Sequence, residues 1–182
     1  HTLREIHRQP QAIAKTIRSR YLREEGRAHL GGHSRDVPEA DKEILGDVKT
    51  WSDVLYNAPR VHLIGAGTAG HAAEVGQWIF ERFAPSNYVQ AYSPDEFLDR
   101  NLKLKPRHDI VFGISQSGET ADLLKALEEA LACGASVFGL VNGVESSIAR
   151  ATNAGVYLSI GPEIGVASTG AFTAQLAVLL LI

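Results

Sequence analysis

Ser115-Gln116-Ser117-Gly118-Glu119-Thr120 packs three hydroxyls and a glycine into six residues. The segment directly follows the apolar run Ile110-Val111-Phe112-Gly113-Ile114 and precedes leucines at helical spacing, Leu124, Leu127 and Leu131. A loop at a strand-to-helix junction offers the unpaired N–H groups of the first helical turn and the positive end of the helix dipole. Its hydroxyls donate to an anion without adding charge. Such a loop suits a phosphate monoester. No Lys follows a Gly in the P-loop manner, so triphosphate hydrolysis is not suggested. The same residues would also serve as a helix cap, Ser117 with Thr120 or Ser115 with Glu119. Glu119 fits a phosphate loop only if its side chain points away or pairs elsewhere.

Two other loops have related chemistry. Gly65-Ala66-Gly67-Thr68-Ala69-Gly70 fits G-x-G-x-x-G between a strand and a helix. A dinucleotide site needs an acid about 20 residues on for the ribose, at the end of the next strand. That strand ends in Ala91-Tyr92-Ser93, and Asp95 belongs with a short helix opened by Ser93-Pro94. A plain glycine-rich turn therefore outweighs the NAD reading. Glu163 to Gln175, rich in small and hydroxyl side chains, precedes a final apolar helix. Loops at the carboxyl ends of parallel strands converge on one crevice. Three neutral, hydroxyl-rich loops there imply an oxygen-rich ligand such as a sugar phosphate.

The elements that must position these loops are legible from residue 60 onward, where short apolar runs alternate with amphipathic segments, the rhythm of βαβ units and a parallel sheet. Five strands are expected, at Val61 to Gly65, Tyr88 to Tyr92, Asp109 to Ile114, Ser136 to Val141 and Val156 to Ile160. Helices are expected near 69–84, 94–101, 118–133, 144–151 and 167–182. Residues 1–58 read as a helical arm that covers the core or a dimer partner, and 59–182 as the ligand-binding unit. The arm predicts one helix from Pro10 to Arg23, with Pro10 in its first turn, and a second from Pro38 to Tyr56 with Ile44, Val48, Trp51 and Leu55 on one stripe.

With 182 residues the chain has room for one sizeable domain. A net charge of -3 gives no electrostatic footprint for nucleic acid or an anionic membrane, so any anion is held locally. The most apolar stretch, Phe172 to Ile182, is shorter than the roughly 20 residues of a membrane-spanning helix. Cys133, alone, can form no intrachain disulfide, and a reducing, cytoplasmic home is the default; it reads as packing at a helix end. His29 and His33 flank two glycines and read as loop residues rather than metal ligands. His71 reads as a half-exposed helix residue. Glu163 is either a base or ligand contact in the crevice or a partner to a neighbouring subunit. The chain starts at His1, contains no Met and stops inside an apolar run, which reads as a piece of a longer protein.

Ser115 to Thr120 and Glu163 to Gln175, with Arg4-Glu5-Ile6 and Gln9-Pro10, resemble the isomerase half of the glutamine:fructose-6-phosphate amidotransferases, in the sugar isomerase (SIS) domain family. The family's opening pattern, His-x-Met-x-Lys-Glu-Ile, would fit better with a methionine between Thr2 and Leu3, which an intact mass would test. The resemblance covers nearly the whole chain. It implies a three-layer, flavodoxin-like α/β/α fold around a five-stranded parallel sheet, continuing into a second, similar subdomain. It also assigns phosphate contacts to Ser115, Gln116, Ser117 and Thr120, and sugar contacts to Thr68, Val166 and Ser168.

The implied reaction is aldose–ketose isomerisation of a C6-phosphorylated sugar in amino-sugar synthesis, with no cofactor and no metal. A glutamate moves the proton, a histidine opens the ring and a lysine can form an imine. None of these maps onto this chain, so it is expected to bind the phosphate end of substrate without being a competent isomerase, within a homodimer. Two positions depart from the family. Ala69 replaces a hydroxyl of its usual Cys-Gly-Thr-Ser loop, and Gly170 stands where it usually has Lys. These keep open a ketosamine-phosphate deglycase or deaminase, and a non-catalytic SIS sensor. The arm's lack of a helix-turn-helix or basic face counts against a DNA-binding regulator. A nicotinamide enzyme built on Gly65 to Gly70 is the third class.

Overall fold

The computed structural model describes residues 1–18, 20–22, 27–28, 30, 33–34, 54–55, 58–84, 88–106, 108–165 and 167–182. Helix α1 (Thr2–Ile17) precedes three two-residue strands, β1 (Tyr21–Leu22), β2 (Arg27–Ala28) and β3 (His33–Ser34). The α/β unit then runs β4 (Arg60–Gly65), α2 (Thr68–Phe83), β5 (Tyr88–Tyr92), α3 (Pro94–Asp99), β6 (Asp109–Ser115), α4 (Ala121–Ala132), β7 (Ser136–Val141), α5 (Ser147–Ala151), β8 (Ala154–Tyr157) and α6 (Gly170–Leu179).

Five parallel strands lie in the order β8-β7-β6-β4-β5, and β3 adds a short antiparallel edge beside β8. This is the expected five-stranded parallel sheet, extended by one edge strand that the sequence did not announce. Alternate residues serve opposite faces. Leu63, Ile110, Phe112, Ile114 and Leu140 pack with α2 and α6, whereas Ile64, Val111, Val137 and Val141 pack with α3, α4 and α5. Each fully buried aliphatic side chain among them contributes about 1.5–3 kcal/mol. Because β6 and β7 are buried along their whole length, they read as unbroken apolar runs.

Several boundaries differ from expectation for identifiable reasons. β8 starts at Ala154, not Val156, since the Asn153 side chain accepts from Val137 N at 2.7 Å and brings the strand alongside β7 two residues earlier. It stops at Tyr157, two residues before Ser159 turns to a φ of 59°. Helix α1 spans Thr2–Ile17 with Pro10 inside it, not at its first turn; Pro10 lies on the exposed side of the helix. The buried stripe of α1 is Ala12 and Thr16, while Ile6 is exposed, because small side chains allow close approach to α6 near Gly170. On α4 the buried face centres on Leu123, Ala126, Leu127 and Ala130, with Leu124 and Leu131 at its margins. Cys133 is exposed at the end of α4, not packed. Of the second arm helix, only Val54 and Leu55 are described, both helical; the rest, like His29, lies outside the described residues.

At the amino-terminal end of the sheet, Asp109 is fully buried. Its carboxylate pairs with Arg60, accepts from Lys105 N at 2.6 Å, and lies 2.8 Å from His62 Nε2. A carboxylate can only accept, so the imidazole donates there. His62 Nδ1 is buried with no hydrogen-bond partner, and the ring stacks on Tyr92. Burial outweighs Asp109 and pushes the imidazole below its usual 6.5. Removing the carboxylate leaves three donors unpaired, so Asp109→Ala should lower the urea-unfolding free energy by about 3 kcal/mol. The unfolded chain takes up a proton at His62 more readily than the folded one. Its contribution is therefore present above pH 6.5 and lost as pH falls below it. The urea midpoint should drop from pH 6.5 to 5, and His62→Asn should flatten that slope.

Candidate functional site

The central strand β6 delivers the chain to Ser115, only 3% exposed. Ser115 Oγ accepts from Gly118 N at 3.0 Å and lies 3.2 Å from Thr120 Oγ1. Ser117 Oγ accepts from Glu119 N at 3.1 Å. Thr120 is the N-cap residue of α4, yet its side chain makes no cap bond. The hydroxyls thus stitch the loop to itself, and neither expected capping pair forms. The turn itself requires Gly118, whose φ is 72° and whose Cβ would fall 2.1 Å from Ser146 Oγ. Asn142 N donates to Gln116 O at 3.2 Å and Ile148 N to Gly118 O at 3.0 Å, so the segment after β7 backs the loop.

Glu119 does point elsewhere. Its carboxylate accepts from Ser147 N at 2.8 Å, and the Ser147 hydroxyl and backbone N–H hold it below the usual carboxylate range. The acid is therefore occupied at the start of α5. Ser117 stays exposed, and Gln116 and Thr120 are half-buried.

β4 lies beside β6, with Gly65 opposite Ile114. A Cβ on Gly65 would come 2.5 Å from Ala69 O, so the glycine lets α2 start directly against its strand. Gly67, at φ 55°, forms the N-cap without a side-chain bond, and no acid stands in the first turn of α2. Thr68 is half-buried at its first position. The glycines are used for the turn and for helix–strand contact. Asp95 is exposed within α3, whose N-cap Ser93 accepts from Glu96 N at 3.2 Å, as the sequence suggested. His71 is exposed and pairs with Glu74 at 3.3 Å.

The loop after β8 is built around two carboxylates. Glu163 accepts from Ser168 Oγ at 2.7 Å, from Gly170 N at 2.7 Å and from Thr169 N at 3.3 Å, which caps α6. Glu5, from α1, accepts from Ile164 N at 2.8 Å and Gly165 N at 3.2 Å. Asn142 fixes the loop's start, accepting from Ile160 N at 3.1 Å and donating to Gly161 O at 2.7 Å. The cap role of Glu163 and the parts played by Glu5 and Asn142 escaped the sequence reading. Asn142-Gly143, a turn pair directly after a strand, was the one available signal. A Cβ at Gly170 would lie 3.1 Å from Glu163 Oε1 and 3.6 Å from Ala12 Cβ, so a side chain there requires the cap to shift slightly. Glu163 already fills the positive end of α6, whereas the starts of α2 and α4 carry no side-chain cap bond, and Asp122 stands exposed in the first turn of α4.

The crossovers from β4 and β6 go to opposite faces, so the loops after these two strands flank the topological switch point where α/β sheets bind ligands. Thr68 and Ser115–Thr120 come from neighbouring strands. Ser168 is at the same sheet end but past β7, with its hydroxyl donated to Glu163. Val166 lies outside the described residues. Among the described residues, no group of three or more His, Cys, Asp or Glu is placed to hold a metal ion, and no helix is long and apolar enough to cross a membrane.

Comparison with known proteins agrees with this geometry. The chain is 41% identical over 180 residues to the glutamine–fructose-6-phosphate aminotransferase (isomerizing) of Chlorobaculum tepidum, and 39% over 178 residues to that of Saccharomyces cerevisiae. These alignments cover 99% and 98% of the chain but 26% and 22% of the relatives, so the chain spans about a quarter of their length. The C-terminal domain of glucosamine-fructose-6-phosphate aminotransferase from Francisella tularensis superposes with a TM-score of 0.79 at 26% identity, covering 99% of this chain and 45% of that one. The SIS domain model matches residues 54–182, and the chain belongs to the SIS domain family.

Proposed function

We propose that this chain is the phosphate-binding subdomain of an isomerising glutamine–fructose-6-phosphate aminotransferase, which holds a C6-phosphorylated sugar at the switch point between β4 and β6. The observation that carries this reading is the loop after β6. It presents the start of α4, where no side chain caps the helix, together with the Ser117 hydroxyl, while Glu119 is turned away and paired at Ser147 and Asp122, in the first turn of the helix, is exposed. The phosphate sits against Gln116, Ser117 and Thr120, with Ser115 beneath them holding Gly118 and Thr120. Thr68, Val166 and Ser168 meet the sugar, and Glu163 holds the Ser168 hydroxyl in place. The groups that move protons between C1 and C2 come from a second SIS subdomain or a partner subunit of a cytoplasmic homodimer, so this chain binds substrate and does not turn it over. The 41% identity to the Chlorobaculum tepidum enzyme supports this substrate class above the deglycase and sensor alternatives.

Calorimetric titration with fructose 6-phosphate tests the reading, with free fructose and NAD as controls. Binding should be weakened about tenfold or more in Ser117→Ala, the loss of one hydrogen bond to a charged group. Binding of NAD, or turnover of fructose 6-phosphate by this chain alone, would overturn it. In Gly118→Ala the new Cβ meets Ser146 and the φ of 72° is strained, so a loss of about 2 kcal/mol in stability should accompany loss of binding.

A further inference from the structure

The loop from Glu163 to Gly170 is held from within by Glu163 and from outside by Glu5, 159 residues from Ile164 along the chain. The outside contact is closely fitted. One carboxylate oxygen of Glu5 receives both Ile164 N and Gly165 N, and the other also lies 3.2 Å from Gly165 N. A Cβ at position 165 would come 2.4 Å from Glu5 Oε2 and 3.0 Å from Thr2 Oγ1, so only glycine admits the carboxylate there. The two amides hold the Glu5 carboxyl below the usual carboxylate range.

The arm has further anchors besides this contact. Ala12 packs near Gly170, Thr16 Oγ1 donates to Leu158 O at 2.9 Å, and Arg20 donates to Tyr157 O. Ala12 and Thr16 lie in the second half of α1 and Arg20 beyond its end, whereas Glu5, in its first half, is the side chain bonded to Ile164 and Gly165. Apolar packing does little to fix the loop at this point, because Ile164 is 67% exposed. Its backbone is shaped by the carboxylate instead.

We infer that Glu5 is a positioning residue of the ligand site, fixing the backbone of residues 164–165 so that the loop carrying Ser168 meets the sugar. The role rests on the sugar-phosphate reading above. It makes the arm a functional part of the site, and it concerns the sugar end of the ligand, since the phosphate loop has its own scaffold in Ser115, Asn142 and Ile148.

The test compares the chain with Glu5→Ala and Glu5→Gln in titrations with fructose 6-phosphate and with inorganic phosphate, alongside amide hydrogen exchange. In Glu5→Ala the affinity for fructose 6-phosphate should fall about five- to tenfold while that for phosphate is unchanged, and Ile164 and Gly165 should exchange faster. Glu5→Gln, which keeps one acceptor oxygen, should recover part of both effects. Unchanged fructose 6-phosphate affinity in Glu5→Ala overturns the inference, as does an equal loss for both ligands, which marks a general structural defect. Failure of the unsubstituted chain to bind fructose 6-phosphate removes the functional reading itself, and the positioning role with it.

Discussion

The side-by-side pairing of β4 and β6 is the constraint on which the site depends. Six residue pairs hold the two strands in register from Arg60↔Asp109 to Gly65↔Ile114. At their foot, the buried Asp109 carboxylate joins Arg60 and His62 of one strand to the start of the other. At their head, the chain departs toward opposite faces of the sheet, and the two glycine-containing turns are left adjacent. A slip of one residue between these strands would turn Leu63, Ile110 and Phe112 to the wrong layer, so core packing and loop placement are set by the same register.

Within that frame, the polar groups divide the labour by charge. Acids are used where helix starts need an anion of the protein's own, Glu163 at α6 and Glu119 at α5. The start of α4 instead follows a loop of hydroxyls, with Asp122 exposed in its first turn. Under the proposed function, this distribution gives a near-neutral chain a local anion site with no surplus of positive surface, and it assigns the phosphate and sugar ends of the ligand to different loops.

Most of the α/β unit was legible in the sequence because β6, β7 and α4 are local patterns: unbroken apolar runs, and a stripe of leucine and alanine. The hydroxyl loop was legible for the same reason, since its residues are contiguous. The capping pairs proposed for it did not form, because the hydroxyls found partners inside the loop. Glu5 carries no local signal beyond helical spacing and its place in a resemblance. Nothing in its neighbourhood announces a partner so distant in sequence, and the same is true of the β3–β8 edge. On the arm, α1 docks through Ala12 and Thr16, where closeness to Gly170 matters more than hydrophobic bulk.

The contact between α1 and the last loop also bears on the order in which this chain can be completed during synthesis. The arm leaves the ribosome before its partners exist, and Thr16 and Glu5 wait 142 and 159 residues for Leu158 and Ile164. Closing loops of that length is entropically costly and slow compared with the local βα steps. The central strands can pair first, leaving the first helix unoccupied until α6 arrives. The loop from Glu163 to Gly170 is thus among the last parts to take shape, and under the proposed function a nascent chain acquires its phosphate loop before the loop that meets the sugar.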